Sequence, residues 1–147
     1  MTGSLNITRF VQASVVLLGC SFCVQAQQAF LTELAAERDP ARRSDLALTF
    51  ADGAFDNARQ FYDKGEVKRG DAELENMTTA LNQCVGSLEV AHKAKFYKKA
   101  ELRVAYLQRR MQGLMDDLGI QERGWAEYTQ RKLEEIHDKL IEGVMRK

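Results

Sequence analysis

The two histidines of this chain, His92 and His137, are its first candidates for metal binding or acid–base chemistry. They fall on different predicted helices, and neither has two further ligands at the spacing of a zinc site. Three acidic residues lie close to His137 in the sequence: Glu134, Glu135 and Asp138. Because successive helical residues point about 100° apart, these acids are typical of a solvated face. We therefore predict no metal site.

Patterns for covalent or acid–base catalysis are also missing from the sequence. It contains no recognisable Ser-His-Asp or Cys-His arrangement and no glycine-rich phosphate loop. The acid pair Asp116-Asp117 falls at a predicted helix end, with no apolar pocket expected nearby to raise a carboxyl pKa. We predict that the protein is not an enzyme, has no catalytic residues and uses no cofactor.

One region is rich in cations, and it could bind an anionic partner. Between His92 and Arg110 a single acid, Glu101, stands among seven cations: Lys93, Lys95, Lys98, Lys99, Arg103, Arg109 and Arg110. Lys95, Lys99 and Arg103 recur every four residues and so share one helix face. They could attract an anionic envelope surface or an acidic partner protein. Alternatively, acids of the last helix could neutralise them in weak exposed pairs: Glu134, Glu135, Asp138 and Glu142.

The overall composition favours a helical globular protein and argues against nucleic-acid binding. Hydrophobic residues make up 45% of the 147 residues, charged residues make up 29%, and there is a single proline. The formal net charge is zero, so no basic excess is present to attract nucleic acid.

The N-terminus has the features of an export signal. One cation, Arg9, precedes a mainly apolar run, Phe10–Cys23, which is too short to be a permanent membrane anchor. The following Val24-Gln25-Ala26 fits a signal-peptidase site, with cleavage after the alanine. We predict a signal peptide over residues 1–26 and one domain over residues 27–147, periplasmic or secreted.

A second interpretation of the leader is a lipoprotein signal. Leu17-Leu18-Gly19-Cys20 resembles a bacterial lipobox, in which Cys20 would be lipidated and would anchor the protein to the membrane. If the signal peptide is instead removed after residue 26, Cys20 and Cys23 leave with it. Cys84 is then alone, and its position on an apolar helix side predicts a buried thiol.

Apolar spacing and turn residues predict an all-α fold, an antiparallel bundle of about four helices, after a short amphipathic stretch around 30–35. The first helix should begin at Asp39-Pro40 and end at Gly65, and the second, with heptad-like coiled-coil spacing, should pack back along it. The third should end at a glycine cap, Leu118-Gly119-Ile120. No Gly or Pro separates it from the second near 92–95, so these two could also form one long, bent helix. The stripe predicted for the last helix contains Trp125, Tyr128, Ile136, Leu140 and Val144, with Leu133 and Ile141 at its margin.

Two resemblances accompany this pattern. The segment Ala58–Met77 resembles one degenerate tetratricopeptide hairpin, with matching residues Phe61, Gly65, Gly70 and Leu74. No second copy follows at the 34-residue period of that repeat, so the resemblance does not imply a peptide-binding solenoid. The segments 43–48 and 98–103, with the closing run, resemble exported bacterial helical-bundle proteins. That resemblance implies export and helices, and it carries no activity and no functional residues.

These observations predict an exported, non-catalytic bundle that acts as a protein-interaction or structural module of the cell envelope. The alternative is a periplasmic helper that holds client proteins or binds a small ligand between its helices. An exposed methionine or aromatic groove involving Met111, Met115 and Trp125 would distinguish the second role from the first.

Overall fold

The computed structural model describes residues 19–146, with side chains from residue 28 onward. This part of the chain is all-helical, as predicted, and has five helices: α1 Gly19–Ala36, α2 Pro40–Asp63, α3 Val67–Ala91, α4 Ala94–Asp117 and α5 Arg123–Met145. The count of about four was wrong, because the end of the leader and the amphipathic stretch form one helix, α1. No Gly or Pro interrupts residues 20–38, so nothing in the sequence stops that helix.

The chain divides into two compact units, one ending at Ala35 and one beginning at Ala36. In the first unit, α1 runs through the Val24-Gln25-Ala26 segment where we predict cleavage. Residues 1–18 and the side chain of Cys20 lie outside the described residues, so the signal-peptide and lipidation predictions stay predictions. None of the described helices is long and apolar enough to cross a membrane.

The second unit begins with a helix whose two ends form as predicted. An Asp39 carboxylate oxygen accepts a hydrogen bond from the Ala41 N–H at 3.0 Å, and proline occupies the first position of α2. At the other end Gly65 adopts a φ of 74°, in the left-handed region. The Glu66 N–H then reaches the Phe61 carbonyl at 2.8 Å, which is the bond that closes a glycine-terminated helix.

The next two helix ends differ from one another and partly from prediction. His92 takes a left-handed φ of 50°, so α3 and α4 are separate helices and not one bent helix. At the end of α4 the predicted glycine cap was wrong, because Gly119 does not adopt a positive φ. The chain leaves through an extended Leu118, whose carbonyl accepts a hydrogen bond from the Arg123 guanidinium at 2.9 Å.

From α2 to α5 the helix directions alternate, but the neighbours are not those of a simple up-down-up-down bundle. Most contacts lie within two antiparallel hairpins, α2 with α3 and α4 with α5. The hairpins meet through α3 with α5 and through α2 with α4, and these neighbours run parallel. Although α3 and α4 are consecutive, they make few contacts, so the order around the bundle is α2, α3, α5, α4.

The hairpin of α2 and α3 includes the tetratricopeptide-like segment. Leu74 is fully buried, and Gly70 lies under the Tyr62 ring, where an added Cβ would stand 2.8 Å from a ring carbon. Any αα-hairpin with a close helix contact can produce this spacing, so the tetratricopeptide resemblance stays a prediction.

The core lies between the two hairpins, and α3 and α4 contribute most of its large side chains. Its fully buried larger side chains include Leu74, Met77, Leu81, Leu88, Val104, Leu107, Met111 and Leu114. In α5 the prediction was wrong at two residues, since Trp125 is 38% exposed and Tyr128 is 43% exposed. Leu133, placed at the margin, is fully buried. The buried positions of α5 are Ala126, Thr129, Leu133, Ile136, Leu140 and Gly143.

Gly143 is required where α5 meets α4, because an added Cβ would overlap the Tyr97 ring. We predict that Gly143→Ala lowers the free energy of unfolding by about 1–3 kcal/mol, the usual cost of overpacking a fitted contact. Urea unfolding followed by circular dichroism measures this change.

The matched control is Gly86→Ala in α3, where an added Cβ meets nothing within 4 Å. Alanine favours a helix over glycine by about 0.8–1.0 kcal/mol, so this variant should be more stable than the parent. Equal stabilisation by both substitutions would contradict the close contact between Tyr97 and Gly143.

Candidate binding groove

A groove of about 360 Å³ lies between the parallel helices α3 and α5. Its volume falls in the range of small-ligand sites, roughly 300–1,000 Å³. From α3 it is lined by Glu75, Thr78, Thr79 and Asn82, and from α5 by Trp125, Tyr128, Thr129, Lys132, Glu135, Ile136 and Lys139. Short polar side chains on α3 leave the space that larger apolar residues would have filled.

Two aromatic rings form one wall of the groove. Trp125 and Tyr128 are three residues apart and so lie on the same face of α5. Their ring centroids are 5.3 Å apart with the planes tilted by 41°, and both side chains are partly exposed. Exposed aromatic surface beside polar groups is a common feature of ligand sites, because it offers apolar contact area and a ring face.

The charged groups of the groove balance one another. The Lys132 ammonium donates to Glu135 at 2.9 Å and lies 5.7 Å from the centre of the Tyr128 ring. This hydrogen bond raises the pKa of Lys132 and lowers the pKa of Glu135. Glu75 and Lys139 have no ion-pair partner within 4 Å among the described residues. The groove is neutral overall and retains one uncommitted charge of each sign.

Several neutral groups in the groove are also uncommitted. The Thr78 hydroxyl donates to the main-chain carbonyl of Glu75 at 2.9 Å. By contrast, Thr79, Asn82 and Thr129 make no side-chain hydrogen bond to any other residue that the structure describes. Donors and acceptors in a cavity of this size fix the orientation of a ligand.

Two of the predicted cationic residues, Lys99 and Arg103, lie elsewhere, at the contact between α2 and α4. The Lys99 ammonium is 2.7 Å from the Asp45 carboxylate, and Arg103 pairs with Asp52. Lys95 lies 4.9 Å from the centre of the Phe96 ring. The acids that pair with Lys99 and Arg103 come from α2. The sequence had suggested acids of the last helix, α5, as the groups that neutralise these cations, and this was wrong for both residues. Binding of an anionic partner to Lys95, Lys99 and Arg103 stays a prediction.

Of the two histidines, His137 takes part in a contact between α4 and α5. Its Nε2 is 3.1 Å from the Glu101 carboxylate, which also accepts a hydrogen bond from Lys98 at 2.7 Å. The hydrogen bonds from Lys98 and then His137 lower the pKa of Glu101. Among residues 28–146, no three His, Cys, Asp or Glu side chains are grouped so as to hold a metal ion.

The two methionines whose exposure would have indicated a methionine-lined groove are core residues. Met111 is fully buried and Met115 is 9% exposed, so Trp125 lines the groove without them. Cys84 is buried, as predicted, and burial together with the nearby Asp45 charge raises its pKa to about 12. Thr78, Thr79 and Asn82 of the groove were not predicted as functional residues. In the sequence they are marked only by their position on a polar face next to the apolar stripe of α3.

Comparisons with known protein families, curated proteins and solved structures gave no match for this chain. The function proposed below therefore rests on the sequence and on the geometry of the groove.

The contact of Glu101 with Lys98 and His137 predicts a pH dependence of stability. Because the folded pKa of Glu101 is lowered, its contribution is present above the ordinary glutamate pKa of about 4.3 and is lost as pH falls through the folded pKa. We expect Glu101→Gln to lower the melting temperature at pH 7 and to reduce the fall in melting temperature between pH 5 and pH 3.

The control is Glu134→Gln, because Glu134 is exposed on α5 and has no ion pair among the described residues. Thermal unfolding of both variants across that pH range measures the difference. A parallel pH profile for Glu101→Gln and the parent would contradict the role of this carboxylate.

Proposed function

We propose that this chain is an exported, non-catalytic binding bundle that holds a ligand in the groove between α3 and α5. The observation that carries the proposal is the exposed pair Trp125 and Tyr128 in a cavity that also contains uncommitted polar groups. An exposed aromatic groove is the feature by which a ligand-binding bundle differs from a purely structural one. A bundle whose helix faces served only for assembly would not need such a cavity.

Binding is favoured over catalysis by the chemistry of the groove. Its carboxylates are Glu75 and Glu135, and the lowered pKa of Glu135 makes it a weak base at neutral pH. Neither histidine lines the cavity. The groups present can orient and desolvate a ligand, and the cavity lacks the histidine that most often serves in proton transfer.

A role as an interaction module of the cell envelope is the second candidate. It is supported by the cations Lys95, Lys99 and Arg103, although two of them already have carboxylate partners. Exposed ion pairs of this kind contribute roughly 0–1 kcal/mol each, so an acidic partner could replace them at low cost.

Trp125 is the only tryptophan of the chain, so its indole N–H gives a single reporter signal for the groove. We expect that a panel of amino acids, short peptides, monosaccharides and maltotriose contains at least one compound that shifts this signal in a ¹H–¹⁵N correlation spectrum. Asn82→Arg, which places a long side chain in the cavity, should abolish the shift.

Gln83→Arg is the matched control, because Gln83 is the next residue of α3, is exposed, and does not line the groove. This variant should respond to the same compound as the parent. A panel that leaves the Trp125 signal unchanged in the parent would overturn the proposed groove function.

Export is tested separately by expressing the chain with its own leader in a bacterial host and measuring the intact mass of the product. A free N-terminus at Gln27 in the periplasmic or secreted fraction is the expected result. A diacylated Cys20 in the membrane fraction would establish the lipoprotein alternative, and an intact N-terminus in the cytoplasm would contradict both.

A further inference from the structure

The groove has opposite charges at its two ends. Three contacts set the register of the helices: Tyr62 with Asp71, Lys99 with Asp45, and Glu101 with His137. The first contact relates α3 to α2, the second relates α2 to α4, and the third relates α4 to α5. Together they place Glu75 of α3 at the same height in the bundle as the segment of α5 between Trp125 and Tyr128. Lys139 lies farther along α5, by about 18 Å at a rise of about 1.5 Å per residue.

The Glu75 end favours a cation. A carboxylate without an ion-pair partner attracts an ammonium group, and the exposed face of the Trp125 ring adds a cation–π surface. Lys132 does not cancel this attraction, because its own charge is paired with Glu135. The ring of Tyr128 is already approached by Lys132, so Trp125 is the ring that remains for a ligand.

The Lys139 end favours an anion. Lys132 donates to the Glu135 carboxylate and is the main cause of its lowered pKa, whereas the nearby Lys139 lowers that pKa only through its charge. The Lys139 ammonium is therefore available to a carboxylate at the end of the groove. The two ends together select a ligand that carries a positive and a negative charge at some distance from each other.

The middle of the groove is suited to peptide groups. The side-chain amide of Asn82 offers one acceptor and two donors, the same types of group that a peptide bond presents. Thr79, which is exposed, adds a hydroxyl that can donate or accept. An extended chain spans at most about 3.3–3.6 Å per residue, so about four residues bridge the space between the Glu75 carboxylate and the Lys139 ammonium once these long side chains reach inward.

We propose that the groove binds a short peptide of about four small residues with both ends free. Its N-terminal ammonium lies at Glu75 and Trp125, its peptide groups lie against Asn82 and Thr79, and its C-terminal carboxylate lies at Lys139. This inference rests on the proposed groove function and names its ligand class. A neutral oligosaccharide would use the same aromatic and polar groups but would not need the charged ends.

The probe is tetraalanine, titrated by calorimetry and by the fluorescence of Trp125 into the full mature chain. We expect binding of tetraalanine, and we expect N-acetylation or C-amidation of this peptide to weaken it by about tenfold each. Equal affinity of capped and uncapped peptides would overturn the inference.

Variants assign the two ends of the peptide. Glu75→Gln should weaken binding of tetraalanine and remove the effect of N-acetylation, while C-amidation still weakens binding. Lys139→Gln should show the reverse pattern. Glu89→Gln and Arg131→Gln are the matched controls, because both residues are exposed on the same helices and neither lines the groove. Circular dichroism confirms that each variant is folded.

Maltotriose separates failure of this inference from failure of the proposed function. If maltotriose shifts the Trp125 indole signal and tetraalanine does not, the groove is a saccharide site and the peptide inference is wrong. If neither these probes nor the wider panel shifts the signal, the groove function fails as well.

Discussion

Close packing of a tyrosine ring on a glycine holds each of the two hairpins together, and the other features of the bundle depend on this constraint. Tyr62 of α2 covers Gly70 of α3, and Tyr97 of α4 covers Gly143 of α5. The Tyr62 hydroxyl also donates to the Asp71 carboxylate, so its polar end is satisfied while its ring is buried. Because each hairpin is closed internally, polar side chains can occupy the edges of the contacts between hairpins, outside the shared apolar core.

The two contacts between hairpins are built differently. Between α2 and α4, opposite charges meet at Lys99 with Asp45 and at Arg110 with Asp56. Exposed ion pairs contribute little to the free energy of unfolding. The main effect of these pairs is therefore to set the parallel register of the two helices. Between α3 and α5, threonines, Asn82 and two exposed aromatic residues leave a groove. The polar groups between α2 and α4 therefore pair with one another, whereas several of those between α3 and α5 face an open groove.

The sequence was sufficient to predict helices α2 to α5 and most of their buried residues, because three- and four-residue apolar spacing is a local signal. Asp39-Pro40 and Gly65 likewise marked the ends of α2 through local backbone chemistry. The left-handed His92 could not be predicted in this way, since histidine does not require that conformation. On α5, the large rings of Trp125 and Tyr128 suggested burial, whereas the packed face contains the smaller Ala126 and Thr129.

The groove could not be predicted from the sequence because it depends on which helices become neighbours. A simple up-down-up-down bundle would place α3 beside α4, and the polar face of Thr79 and Asn82 would then be ordinary solvated surface. The observed order places this face against Trp125 of α5 instead. A ligand there touches the outer side of both hairpins and need not disturb their Tyr–Gly contacts. The exposed residues Thr79, Asn82 and Trp125 can therefore change without altering the Tyr–Gly contacts that close the hairpins.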